Sequence, residues 1–411
     1  MPIPSRPILI LLTLTLVSMP VALCSEAPPS AQRMDTVNYV LGTQTIGITY
    51  TFTGKTGLVE TAERIHEMGS NVLKFSMSPR MEEQYGLPKR EDIRSLADLA
   101  SREPSVKTVL DMPFAYYLIW VYPFAHRDAA WTDGLSEKER REAYEEVHAL
   151  AAHLLKTYSG TGKTFLLGHW EGDWYLHPNY DPKQDPNPEA IQGMIDWLNV
   201  RQAAIDAAKN ETSAKDVSVC HYTEVNLVRK GMKGGVCLVN NVLPHTKVDY
   251  VSYSSWDTIN PHKGGTRKAL HDALDYIESK LPPKAGIPGK RVFIGEYGFA
   301  LETTKTPQRQ DRYSRDVCRA ALEWGCPFVL YWEMYCNETS KDKHRGLWLI
   351  DDKNQKQPFY HTLQSYYENM RRFVEAFGKE HGRLPTDSEI RKKALEILKQ
   401  DPGEQGANGN E

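Results

Sequence analysis

Short apolar runs alternate with helical stretches along most of this chain, and this alternation constrains the fold more than any other feature. Eight runs have the composition of buried strands, and each precedes a stretch whose apolar residues fall at helical spacing. The runs span 45–52, 71–78, 106–114, 164–171, 217–225, 248–256, 291–299 and 327–335. In the first unit, Leu58, Ala62 and Ile65 mark one face of a helix and Gly69 marks its end. Strands that alternate with helices in this way predict a parallel sheet.

Eight strand–helix units over about 330 residues predict one (β/α)8 barrel, a fold that usually takes about 250 residues or more. We assign this single domain to residues 36–378. A doubly wound sheet is the competing fold, but it usually has fewer strands and gives no reason for successive strands to end in carboxylates. Active sites of barrels lie at the carboxyl ends of the strands, so the residues there become the candidates.

Residues 1–24 have the layout of a secretory signal peptide. A single arginine precedes an apolar run at 8–17 that is too short to span a membrane as a helix, and the sequence predicts no other integral span. Cleavage after Cys24 would leave a secreted or periplasmic protein. The alternative is a lipid anchor on Cys24 as the first mature residue, which the bulky Leu23 before it disfavours.

Charge and motif content exclude several classes of function. The 411 residues carry a formal net charge of −3, which provides no basic surface for nucleic acid. The five cysteines beyond Cys24 contain no C-x-x-C pair, and the chain has no H-E-x-x-H, so a zinc site is disfavoured. One or two disulfides remain possible in an oxidising compartment. We therefore expect no metal and no cofactor.

Two carboxylates stand out at predicted strand ends. Glu171 ends the fourth strand, and Glu296, in "IGEYG", ends the seventh. A closed barrel brings these two strand ends to one pocket although they are far apart in the chain. Trp170 and Trp174 flank Glu171 and favour its desolvation, which would separate the pKa values of the two carboxyls. Such a pair can divide acid and base work between its members.

At these positions the chain resembles the clan A retaining glycoside hydrolases, a superfamily of (β/α)8 barrels. The resemblance implies that Glu171 is the acid/base and that Glu296, in a G-E-[FY]-G pattern, is the nucleophile. It also implies that Trp332, in "YWEMY", forms the aromatic floor under the sugar and that Tyr253, in "SYSSW", hydrogen-bonds the nucleophile. The superfamily usually has asparagine directly before the acid/base, where this chain has Trp170.

Further candidates for substrate contacts lie beside these residues. Tryptophan suits a half-wet surface, and four tryptophans lie at predicted strand ends: Trp170, Trp174, Trp256 and Trp332. His169 or Asp173 is the candidate for the sugar contact that asparagine would make, and Glu333 is a further substrate-binding candidate. The remaining polar residues near predicted strand ends have two alternative roles each: Asp111 and Glu224 are structural or bind substrate hydroxyls, and Lys74 neutralises the pocket or caps a strand.

The sequence thus predicts an exported, single-domain enzyme that hydrolyses a β-linked oligo- or polysaccharide with retention, through a glycosyl-enzyme intermediate. The alternative is a catalytically inactive exported barrel that binds carbohydrate, which Trp170 in the usual asparagine position favours. Residues 379–411 are predicted to form a charged, partly disordered tail with one small helix at 384–400.

Overall fold

The computed structural model describes residues 34–125, 129–259 and 266–399. Its central element is a closed barrel of eight parallel strands arranged in chain order. The strands are β1 (Leu41–Gln44), β2 (Val72–Met77), β3 (Tyr116–Val121), β4 (Lys163–Gly168), β5 (Val217–Val225), β6 (Tyr250–Ser254), β7 (Val292–Tyr297) and β8 (Val329–Tyr331). Leu41 of β1 pairs with Val329 of β8, and this contact closes the barrel. The predicted (β/α)8 fold is confirmed. The predicted signal peptide at 1–24 lies outside the described residues.

Helices fill the connections between the strands. They are α1 (Gly57–Met68), α2 (Met81–Tyr85), α3 (Leu96–Arg102), α4 (Pro104–Asp111), α5 (Glu137–Thr157), α6 (Gly172–Leu176), α7 (Pro188–Glu211), α8 (Val228–Met232), α9 (Leu238–Asn241), α10 (Thr266–Lys280), α11 (Leu301–Thr304), α12 (Pro307–Trp324), α13 (Pro358–His381) and α14 (Asp387–Lys399). A hairpin of β9 (Thr339–Ser340) and β10 (Lys343–His344) follows β8. Local signals set the helix ends: Ser136 and Glu139 form a capping box at the start of α5, and Gly69 ends α1 in the left-handed conformation, as predicted.

Two of the predicted strands are misplaced. The segment 106–114 is not a strand, because it lies largely in α4, where Pro104 occupies the first turn and Glu103 caps it. β3 begins only at Tyr116, so Asp111 ends a helix at the opposite end of the barrel from the carboxyl ends of the strands. The first strand ends before the predicted run at 45–52 begins, and that run forms the loop that follows β1.

Side chains of each strand alternate between the barrel interior and the layer under the helices. On β4, Leu166 faces the interior, whereas Phe165 and Leu167 pack in the layer between strands and helices. The interior below the strand ends is filled by Val72, Leu118, Leu166, Tyr222, Phe293 and Leu330. This apolar plug leaves only the carboxyl ends of the strands open for a site.

Gly168 leaves room for the ring of Tyr222 at the top of this plug. A Cβ atom at position 168 would lie 2.3 Å from Tyr222 Cζ. We expect Gly168→Ala to lower the free energy of unfolding by about 1–3 kcal/mol, as overpacking of a core does. Chemical denaturation measures the change, and Gly54→Ala is the control because nothing lies within 4 Å of a Cβ there. Equal stability of the two variants would contradict the packing described here.

The chain continues past the barrel into α14, whose Ile390, Ala394 and Leu398 are buried. This helix occupies most of the segment at 384–400 for which a helix is predicted, and residues 400–411 lie outside the described part of the chain. No helix in the described part is long and apolar enough to cross a membrane. The five cysteines at positions 220, 237, 318, 326 and 336 are all free thiols.

Candidate active site

A cleft of about 1320 Å³ opens at the carboxyl ends of the barrel strands. Residues on or after all eight strands line it, from Ile46 after β1 to Trp332 after β8. Its volume exceeds the range of about 300–1,000 Å³ that is typical of small-molecule pockets, so it has room for an extended ligand. Both predicted catalytic carboxylates, Glu171 and Glu296, line this cleft.

Glu171 lies directly after β4, at the start of the short helix α6. Its side chain is nearly buried and its carboxylate accepts two hydrogen bonds. The indole N–H of Trp174 donates to Oε2, and the hydroxyl of Ser254 contacts Oε1. The backbone N–H of Glu171 donates to Oε1 of Glu224, at 3.1 Å. Backbone and side chain of Glu171 are therefore both fixed from within the barrel.

Glu296 lies on β7, and a break in the strand register turns it towards the cleft. The pairing of β6 with β7 shifts beyond Tyr253, so that Ser254 lies opposite Glu296. Such a bulge lets two successive residues, Gly295 and Glu296, face the interior. Only glycine fits the first of these positions, because a Cβ there would lie 1.7 Å from Ser252 Oγ.

The hydroxyl of Ser254 joins the two carboxylates. It contacts Oε1 of Glu171 and lies 3.1 Å from Oε2 of Glu296. Two hydrogen bonds that share one oxygen place these carboxylate oxygens within about 6 Å of each other. The indole N–H of Trp256 also donates to Oε2 of Glu296, at 3.1 Å. The two glutamates predicted from the sequence therefore face each other across a single hydroxyl group.

A buried cation lies beside Glu296. Lys74 projects from β2, and its Nζ lies 3.4 Å from Oε1 of Glu296 and 3.0 Å from Oε2 of Glu224. The same ammonium lies 4.2 Å from the ring centroid of Trp120. Of the two roles that the sequence offers for Lys74, its position favours neutralisation of the pocket. Lys74 and Glu224 form a buried ion pair below the cleft, and neither side chain has exposed surface.

The environment separates the two carboxyls electrostatically. Burial raises the pKa of Glu171 well above its usual range, and the negative charge of Glu296 raises it further. Burial also raises the pKa of Glu296, but the ammonium of Lys74 opposes that rise. Because Glu296 has the cation and Glu171 does not, a proton shared by the pair rests on Glu171. A site with one protonated and one ionised carboxyl can supply an acid and a nucleophile together.

Aromatic rings form much of the cleft wall. The predicted Trp170, Trp174, Trp256 and Trp332 all line the cleft, and Trp120 joins them. The rings of Trp120 and Trp332 lie 6.3 Å apart, centroid to centroid. Their indole N–H groups are buried without a partner among the described residues. The wall therefore offers mainly apolar ring faces to a ligand.

Two predicted substrate-binding residues on the β4 side point away from the cleft, and those predictions are wrong. His169 faces the helix layer because it follows the interior-facing Gly168 by one residue; its Nε2 bonds to Thr223 and its ring packs on Trp197. Burial lowers the pKa of His169 to about 3, so the ring is neutral. Asp173 is buried in the loops behind Glu171. Its carboxylate accepts the backbone N–H groups of Asn226, Leu227 and Leu238.

Two further predicted contacts are corrected in the same way. Tyr253 does not bond to Glu296, because it lies on the outer face of β6, where its hydroxyl contacts Asp257 and Thr258. The hydrogen bonds to Glu296 that the sequence predicts for Tyr253 come instead from Ser254 and Trp256. Glu333 is fully buried beside the barrel mouth and accepts the backbone N–H groups of Ile46 and Asn337, at 3.0 and 3.3 Å. It orders two loops instead of touching the cleft.

The residues that the sequence interpretation misses are Ser254 and Trp120. Both could be found by strand alternation, because Ser252 and Ser254 share one face of β6 and Leu118 and Trp120 share one face of β3. Trp120 is missed because the third strand is predicted at 106–114, whereas Trp120 lies on β3 at Tyr116–Val121.

Comparison with known proteins gives a match in structure only. No protein-family model matches the chain, and no curated protein matches it. Among solved structures, an exo-β-1,4-mannosidase from Opitutaceae bacterium strain TAV5 superposes with a TM-score of 0.52 at 13% sequence identity, over 77% of this chain and 56% of the mannosidase. The chain shares the barrel fold of this enzyme. The predicted resemblance to glycoside hydrolases is thus confirmed at the level of the fold.

A second solved structure is a family 39 glycoside hydrolase from the gut symbiont Bacteroides cellulosilyticus WH2. It matches with a TM-score of 0.48 at 13% identity, over 80% of this chain and 64% of the other. The chain therefore spans less than two thirds of the length of either of these proteins.

Trp174 acts on Glu171 in two opposite ways, which two variants separate. Its ring shields the carboxyl from water and so raises the pKa of Glu171, whereas its indole N–H stabilises the carboxylate and lowers that pKa. Trp174→Ala admits water, which both hydrates the carboxylate and replaces the lost donor, so we expect the pKa to fall. Trp174→Phe keeps a ring but loses the donor, so we expect the pKa to rise.

If Glu171 is the acid of a hydrolytic reaction, the alkaline limb of kcat/KM against pH measures this pKa, because activity would then fall as Glu171 loses its proton. The limb should move to lower pH in Trp174→Ala and to higher pH in Trp174→Phe. Melting temperatures of both variants serve as the control for folding. An alkaline limb that stays in place in both variants would mean that Trp174 only packs at the barrel rim.

Proposed function

We propose that this protein is a retaining glycoside hydrolase that cleaves a β-linked glycan. The observation that supports this function most directly is the Ser254 hydroxyl that touches both Glu171 and Glu296 in the floor of an aromatic cleft. The pair lies at the ends of β4 and β7, as the resemblance to clan A glycoside hydrolases requires.

The separation of the carboxylates favours retention over inversion. Retaining enzymes hold their two carboxyls about 5–5.5 Å apart, whereas inverting enzymes leave about 6.5–9.5 Å for a water molecule. The shared hydroxyl of Ser254 limits the nearest oxygens of Glu171 and Glu296 to about 6 Å. That limit is shorter than the separation of inverting enzymes, so it favours direct attack on the sugar by a carboxylate.

The charges around the two glutamates support a different role for each, with Glu296 as the nucleophile and Glu171 as the acid/base. In the first step, the carboxylate of Glu296 attacks the anomeric carbon while Glu171 transfers its proton to the glycosidic oxygen, and the bond to the leaving sugar breaks. In the second step, Glu171 removes a proton from water, which attacks the anomeric carbon and releases Glu296. The proton returns to Glu171, so the enzyme ends as it began.

The chemistry of the cleft supports an oligo- or polysaccharide substrate. The apolar faces of the tryptophan rings suit the apolar faces of sugar rings. We further propose that the enzyme acts outside the cytoplasm, because residues 1–24 have the pattern of a signal peptide and a lipid anchor on Cys24 is the less favoured alternative. The matched structure from Opitutaceae bacterium strain TAV5, with a TM-score of 0.52, is named as an exo-β-1,4-mannosidase, so β-mannosides belong in the first screen.

A screen of purified protein against aryl β-glycosides and β-linked polysaccharides tests the proposal. Release of the aryl group, or of new reducing ends, by the wild type but not by Glu296→Ala would support it. Binding of a polysaccharide without cleavage, equal in wild type and Glu296→Ala, would support the second candidate, a carbohydrate-binding barrel. That candidate is favoured by Trp170, whose ring stands where the superfamily usually has asparagine.

A further inference from the structure

Glu224 is the third carboxylate of the site and takes no part in the proposed reaction. It projects from β5 and its side chain has no exposed surface, so it does not reach a substrate in the cleft. A buried carboxylate is costly unless charge and hydrogen bonds compensate it. Both oxygens of Glu224 are compensated, and each is tied to a different catalytic glutamate.

The first oxygen holds the turn that carries the acid/base. Oε1 of Glu224 accepts the backbone N–H of Glu171 at 3.1 Å. This N–H lies at the junction between β4 and α6, where the chain leaves the barrel. The bond fixes the junction from below, while Trp174 and Ser254 fix the carboxylate of Glu171 from the cleft side.

The second oxygen holds the cation that serves the nucleophile. Oε2 of Glu224 accepts from Lys74 at 3.0 Å and from Ser252 at 2.6 Å. Lys74 also donates to the backbone oxygen of Gly295 at 3.1 Å and lies 3.4 Å from Oε1 of Glu296. Glu224 and Glu296 therefore share one ammonium, which is closer to Glu224. Without Glu224, the whole attraction of Lys74 would fall on Glu296 and make it a weaker nucleophile.

We propose that Glu224 is a positioning residue that couples the two catalytic glutamates, sharing the Lys74 ammonium with Glu296 and anchoring the backbone of Glu171. This role rests on the proposed hydrolysis and adds to it. It explains why a fully buried carboxylate sits below the cleft. A Cβ at Gly295, besides its clash with Ser252, would lie 2.9 Å from Oε2 of Glu224.

The charge of Glu224 also enters the titration of its neighbours. The ionisable groups that face the network are Lys74 from β2, Glu171 after β4, Tyr222 from β5, Glu296 from β7 and Glu333 after β8. Burial raises the pKa of Glu171 and of Glu296, and the negative charge of Glu224 contributes to the rise in both. Removing that charge lowers both pKa values.

Two substitutions separate the effect of the charge of Glu224 from the effect of its side-chain length. Glu224→Gln removes the charge and keeps the shape, so we expect both limbs of the pH profile to move to lower pH. We expect kcat to fall at least about tenfold, the factor that one pKa unit of charge stabilisation represents, with KM unchanged. Glu224→Asp keeps the charge but is too short to hold both partners, so kcat should fall while both limbs stay in place. Asp111→Asn, at the other end of the barrel, is the control for loss of a carboxylate.

The outcomes discriminate clearly. A Glu224→Gln enzyme with wild-type kcat and pH limbs would overturn the proposal, and so would one that only melts at lower temperature. If the Gln variant does not fold, the Asp variant decides: wild-type kcat would contradict a positioning role. If the wild type hydrolyses nothing, the proposed function fails, and the network is tested by ¹³C NMR titration of the glutamate carboxyls. Titrations of Glu171 and Glu296 that do not shift in Glu224→Gln would then overturn it.

Discussion

Glu296→Ala should lose turnover by at least about 10⁴-fold, because removal of a covalent nucleophile leaves only substrate binding and the acid to act. Binding of substrate should persist, since the aromatic wall of the cleft stays intact. The measurement is kcat on an aryl β-glycoside that the wild type hydrolyses, with the substrate Kd from calorimetry. Folding is checked by the melting temperature, and Lys74 keeps Glu224 as an ion-pair partner in the variant.

A small anion should rescue this variant with a diagnostic product. Azide or formate fits the space that the Glu296 side chain leaves and attacks the anomeric carbon from that face. Because no second displacement follows, the product has inverted configuration: a β-linked substrate gives an α-glycosyl azide. NMR of the product reads the configuration directly. Full activity of Glu296→Ala, or rescue with retention, would show that another residue is the nucleophile.

The positions of the two proposed catalytic glutamates are predictable from the sequence for different reasons. Glu171 follows from topology, because it lies just after a strand and every strand of a parallel barrel ends at the same rim. Alternation on β4 also separates Trp170, on the interior face, from His169, which faces the helices. Glu296 defeats that rule, because the bulge in β7 turns Gly295 and Glu296 to the same side. The G-E-Y-G motif identifies Glu296, whereas simple alternation of side chains along β7 would place it on the wrong face of the strand.

The contacts between elements are not predictable from the sequence. Lys74 and Glu224 are 150 residues apart, and no local pattern records that β2 and β5 bring them together across the barrel interior. Tyr253 shows the converse error: its motif suggests a contact with the nucleophile, but the same strand offers Ser254 on the correct face. Local signals also compete, since Pro104 and Glu103 make a helix of a segment whose apolar residues resemble a strand.

Glu171 variants should separate substrates by their leaving groups. General acid catalysis contributes about 10²–10⁴-fold to proton-requiring steps, so Glu171→Ala should lose about that much on an oligosaccharide, whose leaving alkoxide needs a proton. On an aryl glycoside with an acidic phenol, the first step should proceed almost as in the wild type. The glycosyl-enzyme should then accumulate, because no base activates water, and a burst of phenol followed by slow turnover should appear in stopped-flow measurements.

Azide should distinguish this variant from Glu296→Ala. In Glu171→Ala the anion occupies the place of the acid/base and attacks the glycosyl-enzyme from that face, so the product is the β-glycosyl azide, with retention. The pH profile adds an independent check: the alkaline limb should vanish, because its cause is the loss of the Glu171 proton, while the acid limb, set by protonation of Glu296, remains. Opposite azide configurations from the two variants can arise only if Glu171 and Glu296 approach the anomeric carbon from opposite faces. The same configuration from both, or an alkaline limb that survives in Glu171→Ala, would remove Glu171 from the acid/base role that its burial and its contact with Ser254 suggest.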